Sequence, residues 1–265
     1  MTAENGFTYL DDQVFLDRAV SSGRSVLQEV ADGIRVGEMP SRYRRNSTTL
    51  RAGDQLRLAQ ARVALAGCGG LGGYVLEFLA RAGVGTMLVF DPDIIETHNA
   101  NRQLLATSGT LGRFKAHAAC ERASEVNPLV LVEPFTLEFS EGMFDGVDII
   151  VDCLGGAAHR NELQALAAAE KVPLVSAGVS GWTALISTTW PDETGLAEFM
   201  NSRENSSELV QGIPAPTVGF AASLQATEVI RILTSSHPAL RGTLLVADLS
   251  EMRFSSVSLN TGYSI

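Results

Sequence analysis

Apolar and polar positions divide this chain into short segments of two kinds. Brief apolar runs fall at 62–67, 86–91, 129–135, 147–152 and 172–176, and these read as buried strands. Between them, apolar residues recur at helical spacing over 72–82, 111–126 and 158–170. The second of these helices ends at Asn127-Pro128, because proline cannot continue it. Strands alternating with helices predict an α/β fold with a doubly wound, mostly parallel, Rossmann-like sheet and right-handed crossovers.

The flanks differ from this centre. Residues 8–36 predict two helices, with Tyr9, Leu10, Val14, Phe15 and Leu16 on the first. Val26, Leu27, Val30, Ile34 and Val36 populate the second. Gly23 separates them, and Gly37 with Pro40 ends the second. The run Ser41-Arg42-Tyr43-Arg44-Arg45-Asn46 is too charged for a core, and a short helix through Asp54 to Ala59 follows it. Residues 1–55 therefore read as an N-terminal helical arm, and residues 56–265 as the sheet domain.

After Gly178, alternation at Trp182, Ala184, Ile186 and Thr188 predicts a half-buried strand at 181–190. The connection 191–216 is polar and long, which in a compact domain marks a functional or mobile segment. Thr217 to Thr234 reads as a largely buried helix, and 243–248 with 252–259 as a closing hairpin. The expected architecture thus ends in a C-terminal antiparallel extension.

Composition narrows the function. Of 265 residues, 45% are hydrophobic and 19% charged, the balance of a globular chain with a full core. A net charge of −10 argues against broad nucleic-acid binding, although Arg42, Arg44 and Arg45 form one basic cluster. No apolar run approaches the ~18 residues of a membrane span. The polar start from Met1 to Leu10 is no secretory signal, so no membrane partner is expected. Cys68, Cys120 and Cys153 lie in apolar contexts without a CxxC pair. They read as reduced, buried thiols of a cytoplasmic protein, and a four-ligand structural zinc is not expected.

The chemistry centres on Gly67-Cys68-Gly69-Gly70-Leu71-Gly72, between the first strand and its helix. Glycines allow a sharp turn and close ligand approach, and the following helix start suits a phosphate. Asp91, at the end of the next strand, is placed to take a ribose hydroxyl. Alone, this pattern fits NAD, FAD or ATP. The loop from Asp91 through Asp93 and Asn99 to Arg102 and Gln103 adds amide and guanidinium donors. Arg102 can fork onto phosphate oxygens, and Lys115 supplies a point charge one turn into the next helix. That set suits a triphosphate better than a pyrophosphate.

Taken in order, the motifs resemble the MoeB/ThiF/HesA family of ubiquitin-activating-like adenylyltransferases. The matching pieces are Arg42-Tyr43-x-Arg45, Gly67-x-Gly69-Gly70-Leu71-Gly72, Ala82-Gly83-Val84-Gly85 and Asp91-x-Asp93. Asn99-x-x-Arg102-Gln103, Gly112-x-x-Lys115, Asn127-Pro128, Asp152-Cys153 and Val172-Pro173-Leu174-Val175 follow. The late segment Ser223-Leu224-Gln225-Ala226-x-Glu228 completes the match, which runs from Arg42 to Phe254.

The resemblance implies an ATP- and Mg2+-dependent adenylylation. The substrate is the C-terminal Gly-Gly carboxylate of a small ubiquitin-fold sulfur-carrier protein, in thiamine, molybdopterin or related sulfur transfer. By family position, Gly67, Gly69, Gly70 and Gly72 form the nucleotide turn, and Asp91 holds the ribose. Asp93, Asn99, Arg102, Gln103 and Lys115 complete the nucleotide site. Arg45 would reach the γ-phosphate from the partner subunit of a homodimer, so Arg45, Arg102 and Lys115 are the catalytic candidates.

Two departures stand out. Family members carry Asp-Cys-x-Asp-Asn after the fourth strand, the second Asp helping to bind Mg2+; here the run is Asp152-Cys153-Leu154-Gly155-Gly156. Asp152 is the acid left near the expected metal, and Asp93 is another substitute. Otherwise turnover is weak, or adenylation is lost and the chain binds nucleotide or carrier without catalysis. Also, no cysteine follows Cys153, so no thioester or persulfide step is expected on the 191–216 loop. Competing readings are a nicotinamide oxidoreductase and an enzyme that adenylates a small-molecule carboxylate or a tRNA-borne group. His98 and His159 read as polar loop or helix-start residues, and Trp182 and Trp190 as core or carrier-facing.

Overall fold

The computed structural model describes residues 3–4, 6–156, 159–200, 212–234 and 237–259. Its N-terminal part is not the purely helical arm that the sequence pattern predicts. Strands β1 (Ala3–Glu4) and β2 (Phe7–Leu10) pair antiparallel, and β2 pairs parallel with β3 (Glu38–Pro40). Helices α1 (Asp12–Ser22) and α2 (Val26–Arg35) lie between β2 and β3 in the chain. Tyr9 and Leu10, expected on the first helix, belong to β2 and pair with Met39 and Pro40. The cause is local: the Asp11 side chain accepts from the Gln13 N–H and caps α1 there, so the helix starts after Leu10.

This unit is not separate from the rest. Tyr9, Phe15, Val30, Ile34, Met39 and Tyr43 form one core with Ala59, on α3 (Ala52–Gln60), and Leu129. Tyr43 corrects the expectation that its charged run lies outside any core. It is buried, and its hydroxyl accepts from Asn127 Nδ2 at 2.8 Å. Arg42 is likewise engaged, pairing with Asp12 and donating to the Val126 carbonyl at 2.7 Å.

From Arg62 the predicted alternation holds. The parallel strands are β4 (Arg62–Ala66), β5 (Thr86–Phe90), β6 (Leu131–Phe135), β7 (Ile149–Asp152) and β8 (Leu174–Ser180). Their connections carry α4 (Gly70–Ala82), α5 (Lys115–Val126) and α6 (Arg160–Ala169). The two-residue side-chain period sorts each strand between two cores. Val63, Leu65, Met87 and Val89 face α4 and α5; Ala64, Ala66, Leu88 and Phe90 pack with Phe144 and Leu163 on the other face.

Antiparallel β9 (Thr183–Thr189), β10 (Thr243–Asp248) and β11 (Arg253–Ser258) extend the sheet, as predicted. The order is β11-β10-β9-β8-β7-β4-β5-β6. Within the polar 191–216 connection, α7 (Leu196–Met200) is helical, while 201–211 lies outside the described residues. Helix α8 (Ala215–Leu233) packs its Val218, Ala221 and Ala222 into the same core as α4. Among the described residues no helix is long and apolar enough to cross a membrane.

The chain leaves β4 toward β5 and β6, then returns past β4 to β7. The strand order therefore reverses between β4 and β7. In an open α/β sheet the crevice at the carboxyl ends of such strands is where ligands bind.

Candidate functional site

A cleft of about 600 Å³ opens at that reversal. Gly67 and Gly69 after β4, Asp91 and Asp93 after β5, Glu138 and Phe139 after β6, and Cys153 to Gly155 after β7 all line it. At Gly67 the backbone takes φ 99°, and an added Cβ would lie 2.7 Å from the Cys153 carbonyl oxygen. Only glycine satisfies both conditions. Gly69 caps α4 without a side-chain hydrogen bond, so the first α4 amides have no capping side chain. Gly70 also lines the cleft. Gly72, expected to bind nucleotide, is not among the residues that line the cleft, and its Cβ would fall 1.9 Å from the Gly67 carbonyl oxygen. Its place is fixed by helix–turn packing.

Asp91 is buried, and both its oxygens are held. Oδ2 accepts from the Cys68 N–H at 2.7 Å, and Oδ1 from the Asp93 N–H at 3.0 Å. Burial raises its pKa, against the lowering effects of Lys115 and these backbone bonds. Lys115 is the first residue of α5, rather than one turn inside it, because Gly112 at φ 78° delays the helix. Its N–H donates to the Asp93 carbonyl at 2.9 Å, and its Nζ lies 2.7 Å from Asp93 Oδ2 and 3.9 Å from Asp91 Oδ1. The ammonium is thereby aimed from a nearly closed position at the cleft.

The loop after β5 supplies the remaining donors. A short 3-10 turn, Thr97–Asn99, is fixed by Asn99 Oδ1 accepting from the Glu96 N–H at 3.0 Å. Arg102 Nη1 donates to the His98 carbonyl at 3.2 Å and to Asn101 Oδ1 at 2.8 Å, and the residue lines the cleft. Gln103 is buried beside the glycine turn, and among the described residues its Oε1 has no hydrogen-bond partner. Arg45 is exposed and does not line this cleft of its own chain.

Asp152, the expected metal acid, sits behind the cleft. It is buried and ion-paired with Arg160, its Oδ1 accepts from the Leu154 N–H at 3.1 Å, and it does not line the cleft. Each of its oxygens thus has a partner within the protein. Sequence reasoning missed Glu138, Phe139 and Glu162, which line the far side, and assigned no cleft role to His98 and His159, which also line it. The rule that ligands sit at strand carboxyl ends would have found Glu138 and Phe139 after β6. Cys68 and Cys153 have thiols pushed well up by burial, as inert fillers do.

Fold and cleft together define a doubly wound α/β protein with a cationic end to its crevice. A model of the ThiF family matches residues 43–263. The molybdopterin-synthase adenylyltransferase of Escherichia coli (strain K12) is 31% identical over 213 residues, covering 77% of this chain and 86% of the relative. The sulfur carrier protein ThiS adenylyltransferase of the same strain is 30% identical over 214 residues, covering 77% and 84%. This chain belongs to the ThiF family. Among solved structures, Escherichia coli MccB with ATP superposes at a TM-score of 0.69 and 24% identity, covering 82% of this chain and 71% of that one. PaaA gives 0.70 at 24% identity, covering 82% and 72%, and both likenesses show the fold.

Proposed function

We propose that this protein transfers the adenylyl group of ATP to the C-terminal carboxylate of a small ubiquitin-fold sulfur carrier ending in Gly-Gly. The observation that carries this reading is the convergence of Lys115, Arg102 and the α4 start on one end of a cleft, with Asp91 beside them. ATP supplies the activated phosphoryl centre. Lys115 and Arg102 offset phosphate charge, Asp91 holds the ribose, and the glycine turn lets the α4 amides approach. The acceptor carboxylate is already ionised at neutral pH, so no general base is required, and catalysis consists of positioning and charge stabilisation. The relatives named above as adenylyltransferases of molybdopterin synthase and of ThiS support the substrate class.

The residues fit ATP but do not fit Mg2+ at the turn after β7. Gly155 offers no side-chain oxygen there and Asp152 is engaged by Arg160, while Asp93, bonded to Lys115 through one oxygen, lies across the cleft after β5 and is exposed. No step is assigned to the metal. This same feature favours a second reading, a family member that binds nucleotide and carrier without adenylation. The active unit on our reading is a two-fold dimer in which Arg45 reaches the partner's cleft. Three free cysteines suit a reducing cytoplasm.

The test is ATP–pyrophosphate exchange with and without carriers ending in Gly-Gly. Carrier-dependent exchange that disappears in Arg102→Ala supports the enzyme. Nucleotide binding without exchange for any carrier replaces it with the binding reading. Affinity for NAD without affinity for ATP ends both.

A further inference from the structure

The cleft wall that follows β7 runs through two consecutive glycines. Leu154, Gly155 and Gly156 follow β7, and a Cβ at either glycine would meet nothing within 4 Å. A diglycine loop has the highest backbone entropy a chain can offer. Something must fix it if it is to serve as a wall.

Arg160 does so from behind. This guanidinium is 1% exposed, the largest fully buried side chain among the described residues. Nε donates to the Gly156 carbonyl at 2.7 Å, and Nη2 donates to the Leu154 carbonyl at 2.7 Å. Nη1 pairs with Asp152, whose other oxygen accepts from the Leu154 N–H at 3.1 Å. The loop is thus gripped at both carbonyls that bracket Gly155 and at one amide. From α8, Gln225 Nε2 donates to the Asp152 carbonyl at 2.8 Å and to the Val175 carbonyl at 3.2 Å, which anchors the grip to β7 and β8. Neither Asp152 nor Arg160 lines the cleft, whereas Cys153, Leu154 and Gly155 do.

We infer that Arg160 is a positioning residue for this cleft: through two backbone carbonyls and Asp152 it holds the Cys153–Gly156 loop as the fixed wall opposite the glycine turn. A planar fork reaches three acceptors in different directions, and a lysine ammonium on a flexible stem does not reproduce that geometry. The kinetic consequence rests on the adenylation reading above; the conformational consequence does not.

The experiment uses the full chain with Arg160→Lys, and with the double variant Asp152→Asn/Arg160→Gln, which leaves no buried charge unpaired. The first readout is the alkylation rate of Cys153 by iodoacetamide, resolved by peptide mass spectrometry. Cys153 is 5% exposed in the wall, and Cys120, half-buried on α5, is the internal reference. In Arg160→Lys, Cys153 labelling should rise about tenfold or more while Cys120 labelling stays within about twofold, as expected when one wall loosens alone. The second readout is exchange kinetics. The KM for ATP should rise about tenfold or more with kcat within about threefold, since a misplaced wall weakens binding before chemistry.

Unchanged Cys153 labelling in a folded Arg160→Lys protein overturns the inference. So does a parallel rise at Cys120, which would mean general loosening, or failure of both variants to fold, which would make Arg160 a folding residue only. If wild-type protein shows no exchange, the adenylation reading fails by itself, and Cys153 labelling still decides the role of Arg160.

Discussion

Replacing Gly67 by alanine tests whether the two walls of the cleft are built to touch. The residue sits at φ 99°, and its Cβ would lie 2.7 Å from the Cys153 carbonyl oxygen. Ordinary contact begins near 3.4 Å, so the end of β7 must retreat by several tenths of an ångström. It cannot retreat freely, because the Cys153 N–H donates to the Ala66 carbonyl at 3.0 Å and the Gly67 N–H to the Phe90 carbonyl at 2.8 Å. Backbone strain at such a φ costs about 1–3 kcal/mol. Weakening one buried backbone hydrogen bond adds about 1–3 kcal/mol. The expected loss is therefore about 2–6 kcal/mol, a large share of a typical stability of about 5–15 kcal/mol. Urea unfolding followed by tryptophan fluorescence measures it, at a fixed m-value. Gly155→Ala is the control: its added Cβ meets nothing within 4 Å, so its cost should stay within about 0.5 kcal/mol. If Gly67→Ala unfolds at the wild-type urea midpoint, or if Gly155→Ala costs as much, the description of the two walls is wrong.

Gly155→Asp restores an acid at the β7 turn without steric cost, and the Mg2+ concentration at half-maximal exchange should fall about tenfold; no change in Mg2+ dependence would refute a metal role for that position. Burial pushes the Tyr43 phenol up from the ordinary 10.0 to about 12. Between those values the unfolded chain loses the phenolic proton and the folded chain keeps it, so stability falls as pH rises from 10 toward 12, by about 2–3 kcal/mol. Tyr43→Phe, weaker by about 1 kcal/mol at pH 8 for its lost bond to Asn127, should lack that alkaline decline; equal slopes in the two proteins contradict it. Arg45→Ala and Arg102→Ala proteins, each inactive alone, should regain about a quarter of wild-type exchange when mixed and re-equilibrated as dimers. Mixtures that stay inactive mean that the two arginines do not share a composite site.

Much of the sheet domain is legible in the chain because its strands carry their own instructions. Val63 and Leu65 face one core while Ala64 and Ala66 face the other, and both faces being apolar yields the unbroken runs that mark parallel strands. The residues of the cleft's cationic side are also legible: Gly67, Asp91, Asp93, Asn99, Arg102, Gln103 and Lys115 all gather at one crevice. What the chain hides is pairing at a distance. Nothing local in Asp152 reveals that a buried Arg160 will engage it. Tyr43, flanked by arginines, reads as surface until Asn127 and Leu129 are placed beside it. The short β1 to β3 sheet escaped notice because two to four residues per strand leave no period to detect.

The return of the chain past β4 also sets an order of events during synthesis. Val63 bonds its neighbour on one side, Met87, early, but its neighbour on the other side, Ile149, much later. Until β7 arrives, β4 keeps one unpaired edge, although α4 and α5 already cover Val63 and Leu65 on one face, and α8 joins that face only after residue 215. A nucleotide cannot template the early chain, because half of its cleft does not yet exist. The growing polypeptide therefore carries an unpaired strand edge from Ala66 until Ile149 is made, the interval in which mispairing at that edge is open to it.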